Sequence, residues 1–244
     1  MYSSPQEHPR LTTARKQAMM VAAGASRKPV KNIPWRCILT DPAVIAIAMV
    51  LLAEEWTRTF LLAMLPLYFD RVYNLNVVEN GISSVLPVLA NCITAVLAGM
   101  LSDRLVNTHG HSRLFAMKVM TVLSSIPPAI LIFAASYPPK EYYQLAVALV
   151  IGVDTFIAFS MAGVNVNPMY LSPRYSGVVF AIANTFANII GGLNPLITGL
   201  VTNSNATQGQ YRLIMAATSF ILIATCVFYL IFAKSEVRAW DKES

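Results

Sequence analysis

The run Gly163-Val164-Asn165-Val166-Asn167-Pro168, followed by Leu171-Ser172-Pro173-Arg174-Tyr175-Ser176-Gly177, is a polar, proline-punctuated break between two long apolar stretches. Those stretches, residues 143–164 and 177–201, each reach the roughly 20 residues that an apolar helix needs to cross a bilayer. Proline lacks an amide proton and restricts the residue before it, so Pro168 and Pro173 are expected to stop the first stretch and fix the turn into the second. Outward from this break the pattern repeats. Apolar runs at 43–66, 81–101, 114–135 and 213–233 bring the candidate spans to six. Pro87, Pro127, Pro128, Gly191, Gly192 and Pro195 lie inside them, where packed membrane helices tolerate such residues. No segment of about ten residues alternates with period two, which argues against a membrane β-barrel.

Composition agrees. Apolar residues make up 56% of the 244, charged residues 12%, and mean hydropathy is +0.56. A soluble domain carries about 25% charged residues, so the chain reads as a membrane protein with no room for a soluble catalytic domain. Cys37, Cys92 and Cys226 are far apart, with no CxxC and no His at ligand spacing, so neither a disulfide framework nor a metal site is expected. Residues 1–31 hold no apolar core, so insertion is expected to rely on the first span rather than a signal peptide.

The net charge of +6 is distributed as topology rather than as a nucleic-acid surface. With the N-terminus in the cytosol, that side collects Arg10, Arg15, Lys16, Arg27, Lys28, Lys31, Arg36, Arg104, Arg113, Lys118, Arg174, Lys234, Arg238 and Lys242. The opposite side receives only Arg71, Lys140 and Arg212. The glycosylation sequon Asn205-Ala206-Thr207 falls in the loop after the fifth span, on the non-cytosolic side, in agreement with that orientation.

Charges inside the spans are the candidate functional groups. Glu54, Glu55 and Arg58 lie in the first span and Asp154 near the middle of the fourth. Each costs about 2.5–3.5 kcal/mol on insertion scales unless paired or hydrated. Glu54 and Arg58 are four apart on one helical face, acid first, the favourable order. Counting from the span ends places Glu54, Glu55 and Asp154 near the bilayer midplane. A structural network of Glu54, Arg58 and Asp154 inside the bundle is the alternative to a functional role. Ala183, Ala187 and Gly191 form a small-residue stripe that helix packing explains. His109 and His111 read as a solvated loop rather than a metal site. No GxSxG, HExxH, P-loop or dinucleotide fingerprint is present, so no catalytic residues are assigned.

Several pieces, taken in order, resemble one known family. Ser4-Pro5-Gln6-Glu7-His8-Pro9-Arg10-Leu11 and Ile33-Pro34-Trp35 are similar to the two ends of its central cytosolic loop. Trp56-Thr57 and Pro66-Leu67-Tyr68-Phe69 resemble its seventh helix and exit. Gly99-Met100-Leu101-Ser102-Asp103-Arg104 resembles the G-x-x-x-D-R loop element, although Leu105 and Val106 replace the Gly-Arg that often follows. The break at 165–177 and the series Asn184, Gly191, Pro195, Gly199 complete the likeness. The family is the anion:cation symporter branch of the major facilitator superfamily, which holds vesicular glutamate carriers, sialin and sodium–phosphate cotransporters. The likeness covers its C-terminal half only.

The resemblance implies an all-α fold of six transmembrane helices, two three-helix repeats in inverted topology, equivalent to half of a major facilitator transporter. Residues 1–41 would be a cytosolic loop segment, 42–233 the bundle and 234–244 a cytosolic tail. It implies secondary active transport of a small organic anion or phosphate driven by protons or sodium, with no other cofactor. The implied partners are the lipid bilayer and a missing N-terminal six-helix half. The implied location is the plasma membrane or a lysosomal or vesicular membrane. Asn184 is the implied substrate contact, with Trp56 and Tyr68 as further candidates. Asp103 and Arg104 are the implied cytosolic latch, a solvated loop pair being the alternative. The chain departs from the family where vesicular glutamate carriers have an arginine in place of Glu54, and where an apolar residue stands in place of Asp154. Three acids against one arginine make this half-cavity acidic, which weighs against an anion unless protonation intervenes. The rival reading is a non-transporting fragment or a subunit that modulates a full carrier, and chain length is its discriminator. A six-span channel or receptor lacks a filter motif or sensor domain.

Overall fold

The computed structural model describes residues 33–73, 77–202 and 207–242. The basic N-terminal segment as far as Lys31 and the Asn205 sequon lie outside the described residues. A short helix α1 (Trp35–Thr40) leads into α2 (Pro42–Thr59). Asp41 caps α2 by accepting from the Ala43 amide at 2.9 Å, and Pro42 takes a first-turn position where its missing N–H costs nothing. The helical winding runs on beyond α2, widening to π geometry at Phe60–Met64, returning to α in α3 (Leu65–Tyr68) and widening again at Phe69–Tyr73. Pro66 has no N–H to offer the carbonyl one turn back, and a wider turn is one way for a helix to absorb that break.

The remaining rods are α4 (Val77–Asn107), α5 (Arg113–Ala134), α6 (Tyr143–Ile157), α8 (Ser176–Val201) and α9 (Gln208–Phe232), with the short α7 (Asn167–Leu171) between α6 and α8 and α10 (Ala239–Lys242) in the tail. Five helices among the described residues are long and apolar enough to cross a membrane: Val85–Asn107, Arg113–Ala134, Tyr143–Leu171, Ser176–Val201 and Gln208–Phe232. They correspond to five of the six expected spans. The expected first span is helical throughout, but Glu54, Glu55 and Arg58 make α2 too charged to join them. Pro87, Pro127, Pro128 and Pro195 all sit within continuous helices.

The break after α6 differs from expectation. Pro168 does not stop the fourth span: regular α winding ends at Ile157, the chain tightens into a 3-10 turn at Ala158–Ala162, and Pro168 opens α7. The physical stop is Gly163. A Cβ there would sit 2.8 Å from Thr121 Oγ1 and 2.9 Å from the Thr121 amide nitrogen, so only glycine lets this turn press against α5.

Pairings among the rods repeat. α2 packs along α8 as α4 packs along α6 and its 3-10 extension; α9 packs on α2 as α5 packs on α6; and α5 packs on α9. Exchanging the first three rods for the last three maps this set onto itself, the pattern that two three-helix repeats produce. The α8 stripe Ala183, Ala187 and Gly191 is buried against α2, and a Cβ on Gly191 would lie 2.9 Å from Glu55 Cγ. Close packing is therefore what the stripe does.

The tail is not a loose extension. Arg238 Nε donates to Asp41 Oδ2 at 2.6 Å and Trp240 Nε1 to the same oxygen at 2.9 Å. Ser172 Oγ donates to Asp241 Oδ1 at 2.6 Å, and the Arg238 amide donates to the Leu171 carbonyl at 3.1 Å. The tail thus ties the start of α2 to the α7–α8 turn. Burial alone would raise the Asp41 carboxyl, but hydrogen bonds from Trp240, the Ala43 amide and Arg238, with the guanidinium charge, outweigh it and hold the group below the usual carboxylate value.

Candidate functional site

The helices sort the intramembrane charges into separate environments. Glu54 points into the bundle, 3% exposed, where Ser124 Oγ on α5 donates to its Oε1 at 2.9 Å and the Ser160 hydroxyl faces the same carboxylate. Glu55, half-buried, leans on the α8 backbone at Gly191. Arg58 and Asp154 instead face one pocket of about 210 Å³, lined also by Asn91, Pro87 and Val88 of α4 and by Leu61, Leu62 and Leu65. Asn91 Nδ2 donates to the Asp154 carbonyl at 2.7 Å and to its Oδ1 at 3.3 Å. Arg58 forms neither a hydrogen bond nor an ion pair among the described residues, where the one salt bridge is Asp41–Arg238. The alternative network of Glu54, Arg58 and Asp154 is therefore not formed, and the pocket is not acidic: it carries one charge of each sign.

Two of the aromatic candidates are committed elsewhere. Trp56, expected to face the cavity, is buried; its Nε1 donates to Thr218 Oγ1 of α9 at 3.0 Å, and its carbonyl accepts from Asn194 Nδ2 of α8 at 3.1 Å. A buried indole finds a partner for its N–H in this way. Tyr68 is fully buried against Tyr211, ring centroids 4.9 Å apart, with its hydroxyl 3.3 Å from that of Tyr73. Both are corrected from substrate contacts to core residues. Asn184 is exposed beside the small-residue stripe of α8, and Asn188 Nδ2 donates to its carbonyl at 2.7 Å.

At the far end of α4, Asp103 and Arg104 are exposed. The next helix is capped by Ser112, whose Oγ accepts from the Phe115 amide at 3.2 Å. Asp103 shares a second hollow of about 210 Å³ with Arg113 and Tyr170, and the Arg113 guanidinium lies 5.4 Å from the Tyr170 ring centre. His109 and His111 are exposed, and no group of three or more metal-ligating side chains occurs among the described residues. Cys37, Cys92 and Cys226 are free thiols.

Sequence reasoning missed Asn91, Ser124 and the Asp41–Arg238–Trp240 clamp. Asn91 carried a usable signal, an amide in the middle of an apolar span, four residues after Pro87. Ser124 carried none, since serine is common in such helices.

The family profile described as Major Facilitator Superfamily matches residues 2–195, most of the chain. The chain belongs to the major facilitator superfamily. Human sialin is 30% identical over 237 residues, covering 97% of this chain and 48% of sialin. Mouse sodium-dependent phosphate transport protein 1 is 27% identical over 246 residues, covering 99% of this chain and 52% of that protein. Zebrafish (Danio rerio) vesicular glutamate transporter 2.1 is 28% identical over 244 residues, covering 98% of this chain and 41% of that protein. These are the carriers that the motif resemblance anticipates. The chain spans about half the length of the curated relatives it matches. Membership of this superfamily, with five apolar membrane-length helices, makes it an integral membrane protein and not an enzyme.

Proposed function

We propose that this chain forms one six-helix half of a secondary transporter that moves a small organic anion or phosphate, coupled to protons or sodium. The observation that carries the reading is Arg58, a cation with no ion-pair partner among the described residues, in the middle of a long helical run and facing a pocket walled by α2, α4 and α6. Membrane-embedded cations without partners are costly, and a solute site is the commonest reason for one. In this reading the helical run beginning at α2 is the sixth span. Its charges are tolerable because Glu54 is hydrogen-bonded inside the bundle while Arg58 faces a hydrated cavity. Asn184 extends the solute-facing surface onto α8, and Asp103 with Arg104 forms a latch at the cytosolic end. Both termini are cytosolic, and the membrane is the plasma membrane or that of a lysosome or vesicle.

Alternating access moves one bundle against another around a site at their interface, so a second six-helix half supplies the opposite wall. The test is uptake into proteoliposomes. The chain alone should show no gradient-driven uptake of phosphate, sialic acid, glutamate or other organic anions. Co-assembly with the N-terminal half of a relative such as sialin should produce saturable uptake under a proton or sodium gradient. Uptake by the chain alone would refute the half-transporter argument; a folded co-assembly that moves none of these solutes would refute the transport reading.

A further inference from the structure

The pocket holds two opposite charges that do not touch. Arg58 enters from α2 and Asp154 from α6, both lining the same 210 Å³ space, and no ion pair joins them. Asn91, from α4, also lines the pocket and spends its amide hydrogens on the Asp154 carbonyl and Oδ1, which leaves its side-chain oxygen as the group it can offer a ligand as an acceptor. The rest of the lining includes Leu61, Leu62 and Leu65. The other acids of α2 stand aside: Glu54 is bonded to Ser124 and Glu55 lies against α8, and neither lines the pocket.

A simple anion would satisfy Arg58 but bring its charge toward Asp154, and a simple cation would do the reverse. Either mismatch sets like charges against each other in one small pocket, the converse of the complementary placement that favours binding. A ligand carrying both charges a few bonds apart has no such conflict. We propose that the pocket between Arg58 and Asp154 binds a zwitterionic solute of amino-acid type, its carboxylate on the Arg58 guanidinium, its ammonium between Asp154 and the Asn91 carbonyl oxygen, and an aliphatic body against the leucines. The inference rests on reading this pocket as the solute site, and it narrows the solute from anions in general to those that also carry a positive charge. Arginine suits the carboxylate end because its planar fork can donate two parallel hydrogen bonds.

The experiment compares leucine with its two single-charge relatives, 4-methylpentanoate and 3-methylbutylamine, binding to the full chain in nanodiscs of phosphatidylglycerol. Wild type should bind leucine about tenfold or more tightly than either relative, the loss expected when a charged hydrogen-bonding partner goes unmatched. Asp154→Asn should remove the preference over 4-methylpentanoate, and Arg58→Gln the preference over 3-methylbutylamine. The comparison of the three ligands uses the unaltered chain, so it stands even if a variant fails to fold. Equal binding of leucine and 4-methylpentanoate, unchanged in Asp154→Asn, would overturn the zwitterion and leave the anion-carrier reading intact. Failure of all three ligands to bind folded protein would overturn both. Loss of leucine binding when phosphatidylcholine replaces phosphatidylglycerol would reassign the pocket to a lipid headgroup and overturn the free solute.

Discussion

Replacing Asp41 by asparagine should release the C-terminal tail without unwinding α2. Asp41 Oδ1 accepts from the Ala43 amide, and an asparagine carbonyl oxygen can take over that cap. Oδ2 accepts from both Arg238 Nε and Trp240 Nε1. An amide nitrogen placed there would set donor against donor and remove the charge that Arg238 pairs with. Hydrogen bonds to a charged group are worth about 1.5–3 kcal/mol each, but the Arg238 side chain is 26% exposed, so the pair is discounted toward about 2 kcal/mol in all. At 1.4 kcal/mol per factor of ten, tail opening should become roughly thirtyfold more frequent. Trypsin reads this directly in nanodiscs, where both faces are accessible, because cleavage after Arg238 needs the guanidinium that Asp41 holds. The pH dependence is a second arm. A carboxyl held below its usual value adds stability that is fully present above the unfolded value of 3.8 and is lost as pH falls through the lower folded value. A spin label at Lys242→Cys, with Cys37 and Cys92 removed, should therefore stay immobile from pH 7 to 5 and loosen only below about pH 4. Cleavage after Arg238 within twofold of wild type in Asp41→Asn would show that the carboxylate does not hold the tail.

Gly163→Ala should lower thermal stability in detergent by about 1–3 kcal/mol, since its Cβ would strike the Thr121 backbone, whereas Gly177→Ala, with open space around it, should be neutral. Asn205 should be glycosylated in a eukaryotic membrane system, and protection of the N-terminus from protease in sealed cytosol-side-out vesicles would overturn the orientation. In an assembled carrier, Asn184→Ala should weaken apparent solute affinity several-fold, the loss of about one hydrogen bond, as read from the concentration dependence of uptake. Glu54→Gln should alter either the pH profile of uptake or the yield of folded protein; if both stay unchanged, the carboxylate is neither a coupling group nor a structural one.

Hydropathy made most of the fold legible. Five expected spans reappear with ends displaced by at most seven residues, because a run of apolar side chains long enough for a bilayer leaves the backbone no option but helix. The first span was legible as a helix but not as a chain of α and π turns, since winding depends on where carbonyls freed by Pro66 find room. Pro168 was misread because proline at a first helical turn and proline past a last one look alike in sequence. For the charges, direction was not legible. Glu54, Glu55 and Arg58 lie within five residues, yet Glu54 turns into the bundle, the 100° step to Glu55 sets it against α8, and Arg58, one turn further along the Glu54 face, reaches the pocket. Trp56 and Tyr68 failed as cavity residues for the same reason: their neighbours across the bundle, Thr218 and Tyr211, are more than 140 residues away in sequence.

That partition of charge meets the repeat in the pairings at one place. Under the exchange that maps α4 onto α8 and α5 onto α9, α2 maps onto α6, and these are the two rods that carry Arg58 and Asp154. Each departs from α winding within about one turn of its charge, α2 widening to π geometry from Phe60 and α6 tightening to 3-10 geometry from Ala158. Such departures mark where helices bend at least cost, because their hydrogen bonds are already off the regular i to i−4 ladder. A solute that bridged Arg58 and Asp154 would thus join two related rods next to their softest turns. Binding can shift a conformational equilibrium only by its difference in affinity between states, and that difference is largest where bending changes the spacing of the groups that hold the ligand. On the proposed solute reading, filling this pocket would act on the bundle beside the π turn from Phe60 and the 3-10 turn from Ala158.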